Sequence, residues 1–243
     1  MLTMTTNQYD HYDNQENAVR YLSKIDFQSH YLPPAYLDFL KRHYPGDPDG
    51  YPTPDYWTMD WQRDKMRLLG VAYAHLMLSS PNIWLPDAGE CLDLARRIND
   101  QGAGMAAEDP AHFGLIATLP LPYERESIVE ARRALDELHA DGVGLTTNHH
   151  GCYLGDPRLD GLMRELDARG ALAIIHPTAP AVLVPDVCEG LSLPAFEYFV
   201  ETTRAFTNMV MHDTFVRFPN IRWVLPHAAR SLRCSPTGSR ASR

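Results

Sequence analysis

Short apolar runs alternate with longer amphipathic stretches from Lys24 onward. Six of these runs have the length of a strand, and several of them are almost continuously apolar, which is typical of strands covered on both faces in a parallel sheet. The pattern predicts strands over 24–30, 71–79, 113–119, 143–148, 171–176 and 221–227.

The stretches between these runs carry apolar residues at helical spacing. We predict helices over 122–140, 158–169 and 194–218. Gly170 follows the second helix and Pro219 follows the third, which are residues that commonly end helices. Regular alternation of strands and helices indicates βαβ units with right-handed crossovers, and therefore an α/β protein with a parallel sheet.

Two architectures satisfy this alternation, a doubly wound open sheet and a (β/α)8 TIM-type barrel. The doubly wound nucleotide-binding sheet requires a glycine-rich turn after an early strand, and residues 29–34 (SHYLPP) contain no glycine. The barrel is therefore favoured. A barrel of this type normally has eight strands in about 250 residues, so we expect an incomplete barrel of about six strands over residues 24–227.

Composition and charge narrow the classes of partner and the compartment. The chain is 44% hydrophobic and 22% charged, as in ordinary globular proteins, and its net charge of −9 argues against nucleic acid partners. No apolar run is long enough to span a membrane, and we expect no signal peptide, because residues 1–20 show no cationic start followed by an apolar stretch. Four scattered cysteines without a CxxC pair indicate free thiols in the cytoplasm.

The two ends of the chain differ from its centre. Residues 1–23 are polar, and we expect a mobile extension there. Residues 228–243 contain four arginines, four serines and no carboxylate, with Leu232 as the one large apolar residue, so we expect disorder. This break in composition suggests a reading-frame shift near residue 228, or a gene fragment.

Candidate ligands for a metal ion stand at the ends of three predicted strands. Gln28 and His30 lie two residues apart and so share one face of the first strand, while His176 and His227 end the fifth and sixth. In a barrel these ends meet at the mouth, where catalytic groups lie. A catalytic zinc site holds about three protein ligands and a water, and histidine is a frequent donor.

Two further side chains are candidates for the mouth. Asn148 follows the fourth strand and either lines the site or serves as a turn residue. Tyr31 either forms an aromatic wall for an unsaturated substrate or packs in the core. The tandem histidines His149 and His150 face two ways, and solvation in a loop is the favoured interpretation for them.

Several ordered motifs resemble the amidohydrolase superfamily. Within it the chain is most similar to metal-dependent decarboxylases typified by aminocarboxymuconate-semialdehyde decarboxylase. The motifs are IDFQSHYLP (25–33), FGLIATLP (113–120), GLTTNHHGCYLG (144–155), IHPT (175–178), ETTRA (201–205) and FPNIR through LPH (218–227).

The resemblance implies a role for each strand-end residue. His30 and His176 would bind zinc or a similar divalent ion, and His227 would act as the general base. Gln28 stands where the family has a histidine, and its neutral amide is a poorer zinc donor. The family's last metal ligand, an aspartate on the eighth strand, has no counterpart in this sequence.

The expected function is metal-dependent decarboxylation of a small unsaturated or aromatic carboxylic acid, without an organic cofactor. We expect weak metal binding and impaired activity, because Gln28 replaces histidine and the aspartate is missing. Two alternatives stay open: a metal-dependent hydrolase of a lactone or amide, and an inactive, non-enzymatic fragment. A homo-oligomer, or docking on an intact homologue, also stays open.

Overall fold

Six parallel strands form a curled sheet that makes up part of a barrel. The computed structural model describes residues 24–226, so the expected N-terminal extension, His227 and the segment after it lie outside the described residues. The strands of the sheet are β1 (Lys24–His30), β2 (Val71–Met77), β3 (Phe113–Thr118), β4 (Gly142–Thr146), β7 (Leu172–His176) and β8 (Arg222–Val224). A small antiparallel hairpin, β5 (Asn148–His149) and β6 (Cys152–Tyr153), follows β4.

The order of the strands distinguishes the two architectures. Neighbours in the sheet run β1-β2-β3-β4-β7-β8, every pair is parallel, and the order never reverses. A doubly wound sheet would reverse its strand order at a switch point. The prediction of an incomplete TIM-type barrel with six strands is therefore confirmed.

Helices connect the strands. They are α1 (Pro34–His43), α2 (Met59–Leu69), α3 (Ala88–Ala107), α4 (Glu124–Asp136), α5 (Asp160–Ala168), α6 (Glu197–Met211) and α7 (Thr214–Arg217). Local capping starts two of them, because the side chains of Thr58 and Asp87 accept hydrogen bonds from backbone N–H groups in the first turns of α2 and α3. Within residues 24–226, no helix is long and apolar enough to cross a membrane.

Two predicted elements differ from the structure. The single helix expected over 194–218 is two helices, because Asp213 takes a left-handed backbone conformation (φ 52°) between α6 and α7. The strand expected over 143–148 ends at Thr146, and Asn148 begins the hairpin instead. In both places the backbone leaves the regular conformation and ends the element, although the apolar pattern of the sequence continues.

The central strands β3, β4 and β7 are covered on both faces, as the apolar runs predicted, whereas Ile25 and Phe27 on β1 are exposed. Along β2, Ala74 and Leu76 belong to the large cluster between sheet and helices, whereas Met77 packs with Ile116 and Ile174 in a smaller cluster on the barrel interior. The period of two along a strand accounts for this division.

An irregularity in β1 determines where the end of this strand points. Asp26 pairs with Ala74 and Ser29 pairs with Leu76, so three steps along β1 match two along β2. This is a β-bulge, a feature that redirects side chains. Ser29 consequently faces the helices, where its hydroxyl accepts a hydrogen bond from Gln62 Nε2 on α2 (2.6 Å).

Close contact between β4 and β7 makes a glycine necessary at position 142. A Cβ added to Gly142 would lie 2.4 Å from the backbone oxygen of Leu172, so Gly142→Ala should lower the free energy of unfolding by about 2 kcal/mol or more. Gly104→Ala is the matched control, because Gly104 is an exposed position of α3 where an added Cβ would meet nothing within 4 Å. The control should stabilise the protein by about 0.5–1 kcal/mol. Urea unfolding of both variants measures the difference, and equal stabilities would contradict this packing.

Candidate functional site

Two histidines meet at the carboxyl-terminal edge of the sheet. His30 ends β1 and His176 ends β7, and their ring centroids lie 4.9 Å apart in an edge-to-face arrangement. His176 is buried, whereas His30 is exposed to the mouth. The curled sheet thus brings together two of the predicted metal ligands.

The orientation of His176 is set by its own backbone neighbour. Its Nδ1 contacts the carbonyl oxygen of Pro177, and because a carbonyl only accepts, Nδ1 must donate. In the neutral ring this leaves the lone pair on Nε2, the arrangement usual for a histidine that binds metal. The ring of Tyr198 on α6 packs edge-on against His176, with centroids 5.9 Å apart.

Gln28 lies near the two histidines but has another partner. Its Nε2 donates to the backbone oxygen of Ile175, 3.2 Å away, so the side chain links β1 to β7 across the barrel interior. Its amide oxygen is the atom that a metal would bind. Gln28 does not line the cavity described next.

A cavity of about 280 Å³ opens between the histidine pair, the 48–54 loop and α6. This is near the lower end of the usual size for ligand pockets, so it suits a small molecule. Its lining contains neither lysine nor arginine among the described residues. The lining residues are His30, Leu32, Pro48, Asp49, Tyr51, Pro52, Thr53, Pro54, Ser79, Ser80, His176, Pro194, Tyr198 and Phe199.

Asp49 supplies the one carboxylate in this lining. Its Oδ2 accepts hydrogen bonds from the hydroxyls of Ser80 (2.5 Å) and Tyr198 (2.7 Å). Ser80 and Thr178 are also bonded through their hydroxyls (2.7 Å), and since the Ser80 proton goes to Asp49, Thr178 donates. Burial, and next the charge of Asp49, raise the pKa of Tyr198, which keeps this phenol a donor.

Asp49, Ser80 and Tyr198 were missed in the sequence. Asp49 stands in a turn with a left-handed backbone (φ 56°), and Ser80 follows β2 in a loop. Tyr198 occupies a position on α6 where the amphipathic pattern predicts a residue buried in the core. No spacing rule links residues 49, 80 and 198, so only the fold reveals the group.

Asn148 lies on the wall of a neighbouring cavity of about 390 Å³, which shares Asp49 with the first. Its Nδ2 donates to the backbone oxygen of Ala179 (2.9 Å) and to Oε2 of buried Glu201 (3.1 Å). Tyr153 and Arg204 donate to Oε1 of the same carboxylate. Asn148 thus holds α6 against the hairpin beside the mouth.

Tyr31 lies on the other side of the sheet. It is 1% exposed and belongs to the cluster beneath the helices, where its ring contacts Trp57 at 6.3 Å between centroids. Because Tyr31 directly follows His30, alternation along the chain puts the two side chains on opposite faces. Tyr31 therefore packs in the core, and it is absent from the lining of the cavity beside the histidine pair.

His149 differs from the expectation of a solvated loop residue. It is buried in the β5–β6 hairpin, and its Nδ1 accepts a hydrogen bond from Asn82 Nδ2 (2.9 Å). Burial lowers the pKa of His149 to about 3. His150 is exposed, and its ring stacks on Trp84 with centroids 3.9 Å apart.

The imidazole pair suits a divalent transition metal. Imidazole nitrogen is a favoured donor for zinc and its neighbours in the first row. Within residues 24–226 no group of three or more His, Cys, Asp or Glu side chains is placed to hold an ion. In the described part of the chain, His30 and His176 are the side chains that could hold such an ion, and the amide oxygen of Gln28 is a weaker candidate donor.

Comparison with known proteins identifies the family. The sequence model of the amidohydrolase family matches residues 25–234, which is most of the chain. The chain therefore belongs to the amidohydrolase family.

Similar proteins include named decarboxylases. The 6-methylsalicylic acid decarboxylase of Penicillium expansum is 31% identical over 215 residues, covering 87% of this chain and 65% of that protein. The chain spans 60–65% of the length of that protein and of two other curated decarboxylases that it matches.

Solved structures agree with the fold. A crystal structure described as amidohydrolase II has a TM-score of 0.81 and 42% identity, covering 84% of this chain and 67% of its own. The 5-carboxyvanillate decarboxylase of Novosphingobium aromaticivorans, complexed with manganese and 4-hydroxy-3-methoxy-5-nitrobenzoic acid, has a TM-score of 0.72 and 23% identity. That match covers 84% of this chain and 64% of the decarboxylase chain.

The buried His149 should make the fold sensitive to acid. Between the ordinary histidine pKa of 6.5 and about 3, the unfolded chain is protonated at this residue and the folded chain is not. The free energy of unfolding should therefore decrease as the pH is lowered through this window. This one group should contribute about 1.4 kcal/mol for each pH unit. Urea unfolding from pH 7 to pH 4 measures the slope.

His149→Gln should flatten that slope, because Gln retains an acceptor for Asn82 and does not titrate. His150→Gln, at the exposed neighbouring position, is the matched control and should keep the slope of the unmodified protein. Equal slopes in all three proteins would show that His149 is not the group responsible.

Proposed function

We propose that this site belongs to a metal-dependent decarboxylase of small aromatic carboxylic acids. The observation that carries the proposal is the pair of His30 and His176 on a small cavity whose described lining has no lysine or arginine. An anionic substrate there needs positive charge from another source, and a divalent ion between imidazoles is the natural one. The named activities of the relatives agree with this chemistry.

His30 and His176 would hold the ion, with Gln28 as a third donor. We propose zinc, which imidazole binds well, although the structural relative was solved with manganese. Once bound, the ion would supply the positive charge that attracts and orients the carboxylate of the substrate. The hydrogen bond from His176 Nδ1 to Pro177 would keep Nε2 directed as a donor.

Loss of carbon dioxide requires one proton transfer. The ring carbon that bears the carboxylate takes up a proton, its bond to the carboxyl carbon then breaks, and the bonding electrons return to the ring. We propose His227, three residues after β8, as the group that delivers this proton, since imidazole titrates near neutral pH. Asn148 supports the mouth through its bonds to Glu201 and Ala179.

We also place the protein in the cytoplasm. Cys91, Cys152 and Cys188 are free thiols in the structure, and Cys91 and Cys152 are buried. Free thiols of this kind suit a reducing compartment.

Removing either histidine should abolish metal binding and carbon dioxide release together. In His30→Ala and His176→Ala we expect zinc affinity to fall at least about a hundredfold, because one of two strong donors is lost. His43→Ala, on the exposed end of α1, is the control and should leave both unchanged. Metal content by mass spectrometry and carbon dioxide release from 2-hydroxybenzoate test the proposal. Turnover that survives full chelation would contradict it.

Position 28 should tune the metal affinity. Gln28→His replaces a neutral amide with an imidazole and should tighten zinc binding about tenfold. The new ring can still donate one N–H to the backbone oxygen of Ile175, as Gln28 does. Competition titration with a chromogenic chelator measures the change. Gln28→Ala serves as the comparison, and an unchanged affinity in both variants would exclude position 28 from the metal site.

A further inference from the structure

The cavity is electrically asymmetric. The histidine pair, where a cation would bind, lies on one side, and the Asp49 carboxylate lies on another. No lysine or arginine in the described lining separates or neutralises these two ends. With an ion held by the histidines, a bound carboxylate would be attracted toward His30 and His176 and repelled by Asp49, which would give the cavity a preferred direction for an anionic ligand.

Tyr198 contacts both ends of the cavity. Its ring packs edge-on against His176, with centroids 5.9 Å apart, and its hydroxyl donates to Asp49 over 2.7 Å. One phenol ring thus spans the interval from the imidazole to the carboxylate. A benzoic acid lying beside Tyr198, with its carboxylate at the histidines, has the length to bring a ring substituent to Asp49.

Asp49 has the capacity to recognise such a substituent. Its Oδ2 already accepts from Ser80 and Tyr198. The other oxygen, Oδ1, accepts no hydrogen bond from residues 24–226. A carboxylate offers about four acceptor positions in all. A hydroxyl or amino group on the ligand would donate to Asp49, whereas a second carboxylate would be repelled.

We propose that Asp49 selects the substrate: it favours aromatic monocarboxylates that carry a hydroxyl or amino group away from the carboxylate, and it rejects dicarboxylates. The assignment of the carboxylate to the histidine end rests on the proposed function, while the selection by Asp49 is a separate binding property. Asp49 acts here as a specificity-determining residue, through attraction of one substituent and repulsion of another.

The test compares five benzoic acids that differ in one substituent. Benzoate, 3- and 4-hydroxybenzoate, and the corresponding dicarboxylates isophthalate and terephthalate are titrated calorimetrically into the full chain, with and without added Zn²⁺. The variant is Asp49→Asn, which keeps an acceptor for Ser80 and Tyr198 and tolerates the left-handed backbone. Asp47→Asn, an exposed carboxylate in the same loop and outside the lining, is the matched control.

We expect the better of the two hydroxybenzoates to bind about tenfold more tightly than benzoate, and the dicarboxylates to bind more weakly than benzoate. In Asp49→Asn the hydroxyl preference should shrink to about threefold or less, and dicarboxylate binding should improve about tenfold. Asp47→Asn should retain the original order. If Asp49→Asn does not fold, Asp49→Gly also fits the backbone and removes the charge, with the same expected loss of preference.

The two proposals fail in different ways. An unchanged order of affinities in the folded Asp49 variant overturns the selection by Asp49, even if carbon dioxide is released. Absence of binding by all five acids overturns it as well. The expected order without carbon dioxide release from any bound acid supports the selection by Asp49 and counts against the decarboxylase.

Discussion

The site depends on the curl of the parallel sheet. β1 and β7 are separated by three strands, so in a flat sheet they would lie about 19 Å apart at the usual spacing. The rings of His30 and His176 are instead 4.9 Å apart by centroid. Parallel direction puts both strand ends at one edge, and curvature brings that edge together. The hydrogen bond from Gln28 to Ile175 spans the same gap directly beneath the histidines.

The repetitive part of this molecule was accessible from the sequence, because it follows simple periods. Continuous apolar runs predicted the strands, and their ends predicted where His30 and His176 meet. Tyr31 shows that residue type is a weaker guide than period: its aromatic character suggested a wall of the mouth, whereas alternation after His30 puts it on the helix side. Its burial beneath α3 reflects geometry that residue type does not carry.

The group around Asp49 was not accessible in this way. Ser80 reaches Asp49 from the loop after β2, and Tyr198 reaches it from α6. These two residues are more than a hundred positions apart in the chain. Contacts of this kind depend on how loops cross the mouth of the barrel, which has no period. His149 is a similar case, because its burial depends on the fold of the small β5–β6 hairpin, with its two-residue connection, and on Asn82 from another loop. Tertiary contacts, not local propensity, decided the surroundings of both residues.

The left-handed backbone at Asp49 also bears on how this protein can change. At φ 56° glycine, asparagine and aspartate are accommodated more easily than most residues. Glycine has no side chain, asparagine carries a neutral amide and aspartate carries an anion. The codons of glycine and asparagine differ from those of aspartate by single bases. The loop therefore gives natural selection a small set of chemical alternatives at one wall of the cavity. Each can be reached in one mutational step and without altering a barrel strand, so ligand preference can evolve separately from the fold.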